Sequence, residues 1–387
     1  MPDPAPYSVA FVASESEIPE SLWTACFTPQ QEGRWWCRLI EHAGVERQFH
    51  IFYAVLREGD RPVGIAPLFT MDLPLEFLVP DWLVPRLAFL GRMLPALSQP
   101  RILFVGSPCA DEGAIGLLPE VDRRAAMLAL QQALEAELLR HAAMMVLWKD
   151  FPPSYEADFA WLAGRVGLFR MTSFPGAVID LPTGRHEDYL AAMKRSRRHN
   201  LRRKLKESAK HFDAVVEVVQ RPDAATLDEI YALFAATRAR AETSFEELDR
   251  RFFERCCDEP RAHFLLLRER ASGSLAAFML CFDLGGTVIN KYIGLDYARP
   301  REWFLLFRLI DAAVIWSLGR GARVFQSGQT GYSAKLEQGH RLVALTSYGK
   351  NRNRLFHMIA RAVAARVSWS TLDKDLAEYV KAHPGAG

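Results

Sequence analysis

The segment "GQTGYSAK", Gly328 to Lys335, gathers two glycines, an amide, a phenol and an ammonium. At a cleft, Gln329, Tyr332 and Lys335 can bind a carbonyl oxygen or a phosphate. Gly328 and Gly331 would let a ligand approach the backbone closely. Turn chemistry explains the same residues without any ligand. A second stretch, "INKYIGLDYARPRE", holds Lys291, Tyr292 and Asp296. Alternation along a strand sends Lys291 and Tyr292 to opposite faces, so one can meet a cleft while the other packs or reaches solvent. A phenol beside a cation can protonate a departing thiolate; a core tyrosine with a satisfied hydroxyl is the plainer use. Asp296 and Glu302 are candidate general bases, and the sequence does not rank them.

A third stretch, "MKRSRRHNLRRKLKESAKHF" (Met193 to Phe212), crowds cations into a chain of net charge +2. On a helix running from Glu187, Leu190, Met193, Leu201 and Leu205 share one face. Arg197 and Arg198 fall in the slots between them. Arg195, Arg202, Arg203, Lys204 and Lys206 point elsewhere and read as a solvated face. A cation turned toward the core needs a partner, either a buried carboxylate or a bound substrate anion.

These residues sit in a chain of 387, half of it hydrophobic and 24% charged, which is the profile of a folded protein long enough for two domains. The near-zero net charge excludes a dedicated DNA binder, so any basic site is local. None of the six cysteines forms a CxxC pair, and no His or Cys spacing fits a metal, so no metal is expected. P-loop and GxSxG motifs are absent. His199 and His340 lie near the candidate site but each alone reads as a surface residue. The N-terminus lacks a basic start followed by an apolar run, and prolines and charges interrupt Leu73 to Leu97. A cytoplasmic protein is expected.

The elements that must position the candidates occur twice in one order. "FYAVLREGDRPVGIAPLF" (Phe52 to Phe69) and "HFLLLRERASGSLAAFMLCF" (His263 to Phe282) both read as hairpins. Each is followed by a strand ("RILFVGS"; "GTVINKYIGLDY"), a helix ("DRRAAMLALQQALEAELLRHA"; "REWFLLFRLIDAAVIWSLGRG") and a short strand ("MMVLWKDF"; "ARVFQSG"). The order predicts an α/β (α+β) chain of two like units, residues 1–160 and 161–387. Near the C-terminus, Asn351 to Trp369 reads as a basic amphipathic helix with Leu355, Met358, Ile359, Ala362 and Val363 on one face. Packing on the second unit is its expected use, with a membrane surface as the alternative.

The order resembles the GNAT acyltransferase fold, and the second half looks like the CelD-like acetyltransferase branch. The likeness rests on "DYLAAMKRSRRHNLRRKLKES", "KYIGLDYARP" and "VFQSGQTGYSAKLEQG". It implies tandem units, each a mixed, mostly antiparallel splayed sheet flanked by helices, with acyl-CoA, acetyl-CoA among the candidates, as donor. It selects Arg198, three residues before Leu201, for substrate binding. The sequence departs from the family at "ARPREW", which has no glycine where GNAT proteins cradle a pyrophosphate. It departs again at Gln326, where the branch has an acid, and at Ser333 and Ala334, which are extra. Together these readings predict an N-acyltransferase that acts on the amine of a small-molecule or lipid-linked acceptor. One alternative is a Fem-type transferase drawing on aminoacyl-tRNA; another is a non-catalytic binding protein of the same fold.

Overall fold

A computed structural model describes residues 6–73, 99–240 and 246–385. Most of the proline-interrupted stretch Leu73 to Leu97 therefore lies outside the described residues. The first half supplies β1 (Ser8–Val12), β2 (His50–Glu58), β3 (Arg61–Asp72), β4 (Arg101–Val105), β5 (Gly116–Leu117), β6 (Met145–Phe151), β7 (Phe169–Thr172) and β8 (Gly176–Asp180). The second supplies β9 (Ala214–Val219), β10 (Ala262–Glu269), β11 (Leu275–Asp283), β12 (Thr287–Leu295), β13 (Val324–Ser327), β14 (Arg341–Val343) and β15 (Thr346–Asn351).

These strands make two sheets of one pattern. The first runs β1-β2-β3-β4-β6-β15-β7, with β5 on β3; the second runs β9-β10-β11-β12-β13-β8-β14. In each, one pair is parallel, β4 with β6 and β12 with β13, while the other described pairs are antiparallel. The hairpin, strand, helix and strand order is thus present twice. Two strands from beyond residue 160 join the first sheet, β15 between β6 and β7 and β7 at the edge, while β8 sits between β13 and β14 of the second. A short strand pairs with whichever edge offers free N–H and C=O groups, so the sheets interleave across the expected 160/161 division.

Both sheets turn one face to a shared apolar layer. Phe69, Phe104 and Leu147 of the first sheet meet Phe264, Phe278, Phe282 and Ile289 of the second there, together with Trp35, Trp36, Phe252 and Phe253. The outer face of the first sheet is covered by helices Arg123–Arg140 and Glu156–Val166. That of the second is covered by helices Arg195–His211 and Leu305–Gly319. Burying aromatic side chains at about 2–3 kcal/mol each makes this central layer the main bond between the halves.

The helix expected from Glu187 onward is two helices, His186–Ala192 and Arg195–His211. Met193 and Lys194 are extended between them. Buried Met193 packs beside Gly339, a contact that an unbroken helix would have to place elsewhere. Leu190, Met193 and Leu201 are buried and Leu205 half-buried, so the apolar positions do turn inward.

Candidate functional site

The pairing of β12 with β13 stops at Asn290 opposite Ser327, and the two strands part beyond that point. On its other side β12 pairs with β11, and Leu280 meets Tyr292 while Cys281 meets Asn290. Lys291 is therefore the extra residue of a β-bulge. A bulge resets the alternation. Lys291 and Tyr292 accordingly both turn to the central layer, correcting the expectation that they face opposite ways.

The Lys291 side chain is 2% exposed although its residue as a whole is half-buried, so its backbone lies at the open edge of β12. Its ammonium donates to Asp111 Oδ1 (2.8 Å) and to the Cys109 carbonyl (2.8 Å). It also pairs with Glu32 and lies 4.5 Å from the Trp36 ring centre. Burial alone would lower this ammonium, but Asp111 and Glu32 overcome it and hold its pKa above the ordinary value. Tyr292 donates to Glu246 (3.1 Å), and burial pushes its hydroxyl well above the usual phenol range. That phenol keeps its proton. Asp296 accepts from Arg299 Nε (2.8 Å) and Ala298 N (3.0 Å), so its carboxylate closes a turn. Glu302 is exposed in the 3-10 turn Arg301–Trp303.

"GQTGYSAK" continues from the end of β13 into the short helix Tyr332–Glu337. Gly331 enters that helix in the left-handed region (φ +68°), where glycine is unstrained. A Cβ on Gly328 would meet only open space. Tyr332 is fully buried and donates to the Pro175 carbonyl (2.9 Å), so it anchors the linker between the halves and does not line an opening. Lys335 is 8% exposed, and its ammonium donates to the Gly328 carbonyl (2.5 Å). No carboxylate pairs with it directly among the described residues. Burial pushes its pKa down to about 8, with Asp111 pulling the other way. Gln326 donates to Asp111 Oδ2 (3.3 Å), and Gln329 makes a long contact with the Asp111 carbonyl (3.5 Å).

His340 is not a surface residue. It is 2% exposed, with Nδ1 donating to the Lys335 carbonyl (2.8 Å) and Nε2 accepting from Ser327 Oγ (3.1 Å). Burial and then the Lys335 charge depress it to about 3, so the ring is neutral. His199 is exposed. Arg198 finds neither a carboxylate nor an open cleft. Its Nη1 donates to the carbonyls of Ala191 (3.1 Å) and Leu190 (3.5 Å), capping the C-terminus of helix His186–Ala192. Arg197 is half-buried and has no side-chain partner among the described residues.

Three acidic residues that the sequence reading missed complete the opening. Glu32, Asp111 and Glu112 come from the first half, and the Lys291–Asp111 contact spans 180 residues of chain. Asp111 N donates to Glu32 Oε2 (2.8 Å), which ties the two loops together. Burial, then Asp111 and Glu32, raise the Glu112 carboxyl to about 7 against the pull of Lys291. A carboxyl tuned so close to neutrality can accept and release a proton. Nothing in "SPCADEG" announces this, because the tuning comes from partners that only the fold supplies.

One further feature lies beside the opening. Helix Leu305–Gly319 starts at Phe304 with no side-chain cap, leaving first-turn N–H groups free for an anion. Arg301 and Arg308, just before and just inside that helix, pair with no carboxylate among the described residues.

Residues 195–332 match the family model of the acetyltransferase (GNAT) domain. Among solved structures the chain is similar to FemX, with a TM-score of 0.56 and 12% identity over 83% of this chain and 92% of that one. It is similar to a conserved protein of unknown function from Bacteroides thetaiotaomicron VPI-5482, with a TM-score of 0.54 and 10% identity over 88% and 98%. It also resembles the tandem GNAT protein from the clavulanic acid biosynthesis pathway, with a TM-score of 0.50 and 12% identity over 90% and 99%. At such identities the likeness is one of fold. No curated protein matches the chain in sequence.

Proposed function

We propose, from a second half that matches the acetyltransferase (GNAT) domain, that the chain is an N-acyltransferase working at the open end of the β12–β13 pair. The donor is acyl-CoA, acetyl-CoA included, and the acceptor is the amine of a small molecule or of a lipid-linked group. The cytoplasm, where acyl-CoA is made and used, is the compartment this reading implies. Residues 161–387 would then hold the donor and polarise its carbonyl, while residues 1–160 would wall the acceptor side and lend the base, Glu112.

The observation that carries the reading is the uncapped start of helix Leu305–Gly319 beside the edge of β12 that β13 leaves after Asn290, where Leu295 N already donates to Thr237 Oγ1 (3.0 Å). First-turn N–H groups, with Arg301 and Arg308, suit a pyrophosphate without needing the family's glycines. The edge of β12 beyond Asn290 offers backbone groups to an extended amide-bearing arm. Lys335 and Gln329 stand where a thioester oxygen can be polarised. As the amine nitrogen bonds to the acyl carbon, the carbon–sulfur bond breaks. Glu112 takes the proton from nitrogen, and the thiolate leaves to be protonated from solvent. Alignment supplies much of the acceleration, because amines already attack thioesters readily.

The aminoacyl-tRNA alternative has one observation of its own. Lys194, Arg195, Arg197, Arg202 and Lys206 of the basic segment have no carboxylate partner among the described residues, as a phosphate-tracking face would require. Calorimetric titration of the purified chain with CoA, acetyl-CoA and charged tRNA tests both readings. CoA affinity should fall about 10-fold or more in Arg301→Ala/Arg308→Ala, given the usual strength of hydrogen bonds to charged groups. It should not change in Asp122→Ala, at the equivalent helix of the first half. Tight, steeply salt-dependent tRNA binding with no CoA binding would replace the acyl-CoA reading by the alternative.

A further inference from the structure

Helix Arg354–Ala364 turns its apolar face outward. Leu355 is 64% exposed, Met358 67%, Ile359 45% and Phe356 37%, the densest cluster of exposed large apolar side chains among the described residues. Leu355, Met358, Ile359 and Ala362 lie on one arc of the helix. Its inward side is small, with Val363 and Ala364 buried against the first sheet at β7 and β15. The expectation that Leu355, Met358 and Ile359 would pack on the second unit therefore does not hold. Packing is done by the small residues, and the large ones are left over.

Charge decides what covers them. No Asp or Glu occurs between Glu337 and Asp373, whereas Arg341, Lys350, Arg352, Arg354, Arg361 and Arg366 all do. Arg341 pairs with Asp180 and Lys350 with Glu135. The four remaining arginines have no carboxylate partner among the described residues, and no acid lies near them in sequence to supply one. Arg354 and Arg361 border the apolar arc, where their alkyl stems can lie along it while the guanidinium groups reach outward. A second copy docked on this face would set Arg354 and Arg361 against their own equivalents. An anionic surface with an apolar interior satisfies both the side chains and the charge.

We propose that this helix is an in-plane docking surface for an anionic lipid bilayer. The proposal is independent of the acyl-transfer reading. No helix among the described residues is long and apolar enough to cross a membrane. An 11-residue helix lying flat, apolar arc down and arginines at the headgroups, needs no crossing.

The test is co-sedimentation of the full chain with vesicles of phosphatidylcholine alone, or with about one part in three phosphatidylglycerol. Binding is expected on the anionic vesicles only, weakening as salt is raised. Leu355→Ser/Met358→Ser should lower the partition coefficient about 10-fold or more, from lost apolar burial. Arg354→Gln/Arg361→Gln should also lower it about 10-fold, from lost attraction to the headgroups. All four positions are exposed, so the melting temperature should hold in both variants. No binding to either vesicle, or binding that neither variant weakens, overturns the proposal. So does a dimer in light scattering that Leu355→Ser/Met358→Ser dissociates, which would assign the face to a second copy.

Discussion

The two parallel strand pairs start alike and end differently. In the first sheet the last paired residues are Val105 and Trp148, both fully buried. The chain then closes over them, with Gly106 N bonded to the Pro67 carbonyl and Gly113 N to the Asp150 carbonyl, each at 2.9 Å. The following helix, Arg123–Arg140, is capped by its own Asp122, which accepts from Arg124 N (2.9 Å) and Ala125 N (3.2 Å). In the second sheet the pair ends in polar Asn290 and Ser327, the bulge opens the edge, and the next helix has no cap. One fold has thus satisfied its own backbone in the first half and left backbone groups free in the second. A carboxylate occupies the anion position of the first helix, so that helix has no need of a ligand.

The comparison breaks most severely at Lys291, because the second opening depends on acids borrowed from the first half. Lys291→Ala should destabilise the chain by about 3–5 kcal/mol, since it leaves Glu32 and Asp111 buried without their cation. Denaturant unfolding checks this. The loss should shrink as pH falls and Glu32, whose carboxyl burial already raises, takes up a proton. An effect below about 1 kcal/mol at neutral pH would mean that the halves are held together without this cluster.

Glu112 comes next. Its carboxyl titrates at about 7, so kcat/KM for acyl transfer should climb as pH rises through that value and the base form appears. Glu112→Gln should cost roughly 10²-fold and abolish that limb of the profile. A variant with an unchanged profile would pass the role of base elsewhere. Aligning the first half's loop with the second half's chemistry would then have no catalytic meaning.

How much of this the sequence showed depends on the range of the forces involved. Hairpins β2–β3 and β10–β11 and helices Arg123–Arg140 and Leu305–Gly319 were legible, because period and turn residues act within a few positions. The bulge at Lys291 was not, since a bulge exists only in a pair and β12 taken alone reads as plain alternation. Nor was the placing of β7 and β15 in the first sheet, as strands of four and six residues do not say which sheet they will join. "GQTGYSAK" reads in sequence as a turn that brings Gln329, Tyr332 and Lys335 to a cleft, yet Tyr332 packs inside while Lys335 lies beside the loop. Glu32, Asp111 and Glu112 were invisible for a simple reason. Each is an ordinary loop acid until the other half arrives.

Lys335 offers a test by gain of stability. Its pKa falls from an ordinary 10.5 to about 8 on folding, through burial. Between these values the unfolded chain holds more protons, so stability rises with pH from about 8 to 10.5, and the penalty is complete below 8. Lys335→Met should therefore be more stable than the parent at neutral pH by on the order of 2–3 kcal/mol, and the advantage should vanish by about pH 10.5. Parallel melting curves against pH would show it. A flat difference between the two proteins would mean that the ammonium is better solvated than its burial implies. Acyl transfer should fall in the same variant, as expected where a functional charge is kept at the cost of stability.

Arg198 gives the smallest effect and separates the basic segment from the opening. The sequence singled it out as an anion ligand, but its guanidinium already holds the Ala191 and Leu190 carbonyls at the end of a helix of about two turns. A helix C-terminus favours a cation there, and the side chain is partly solvated, so the contact contributes about 0.5–1 kcal/mol. Arg198→Ala should lower the melting temperature slightly and leave CoA affinity within about 2-fold, whereas Arg301→Ala/Arg308→Ala should do the reverse. Exposed Arg202 makes the control, since Arg202→Ala should change neither quantity by a measurable amount. If Arg198→Ala instead weakened the donor about 10-fold with the melting curve unmoved, the cap would be a resting contact that a ligand replaces. The anion site would then extend from the free helix start at Leu305 to the basic helix itself, and the second opening would be larger than its backbone edge indicates.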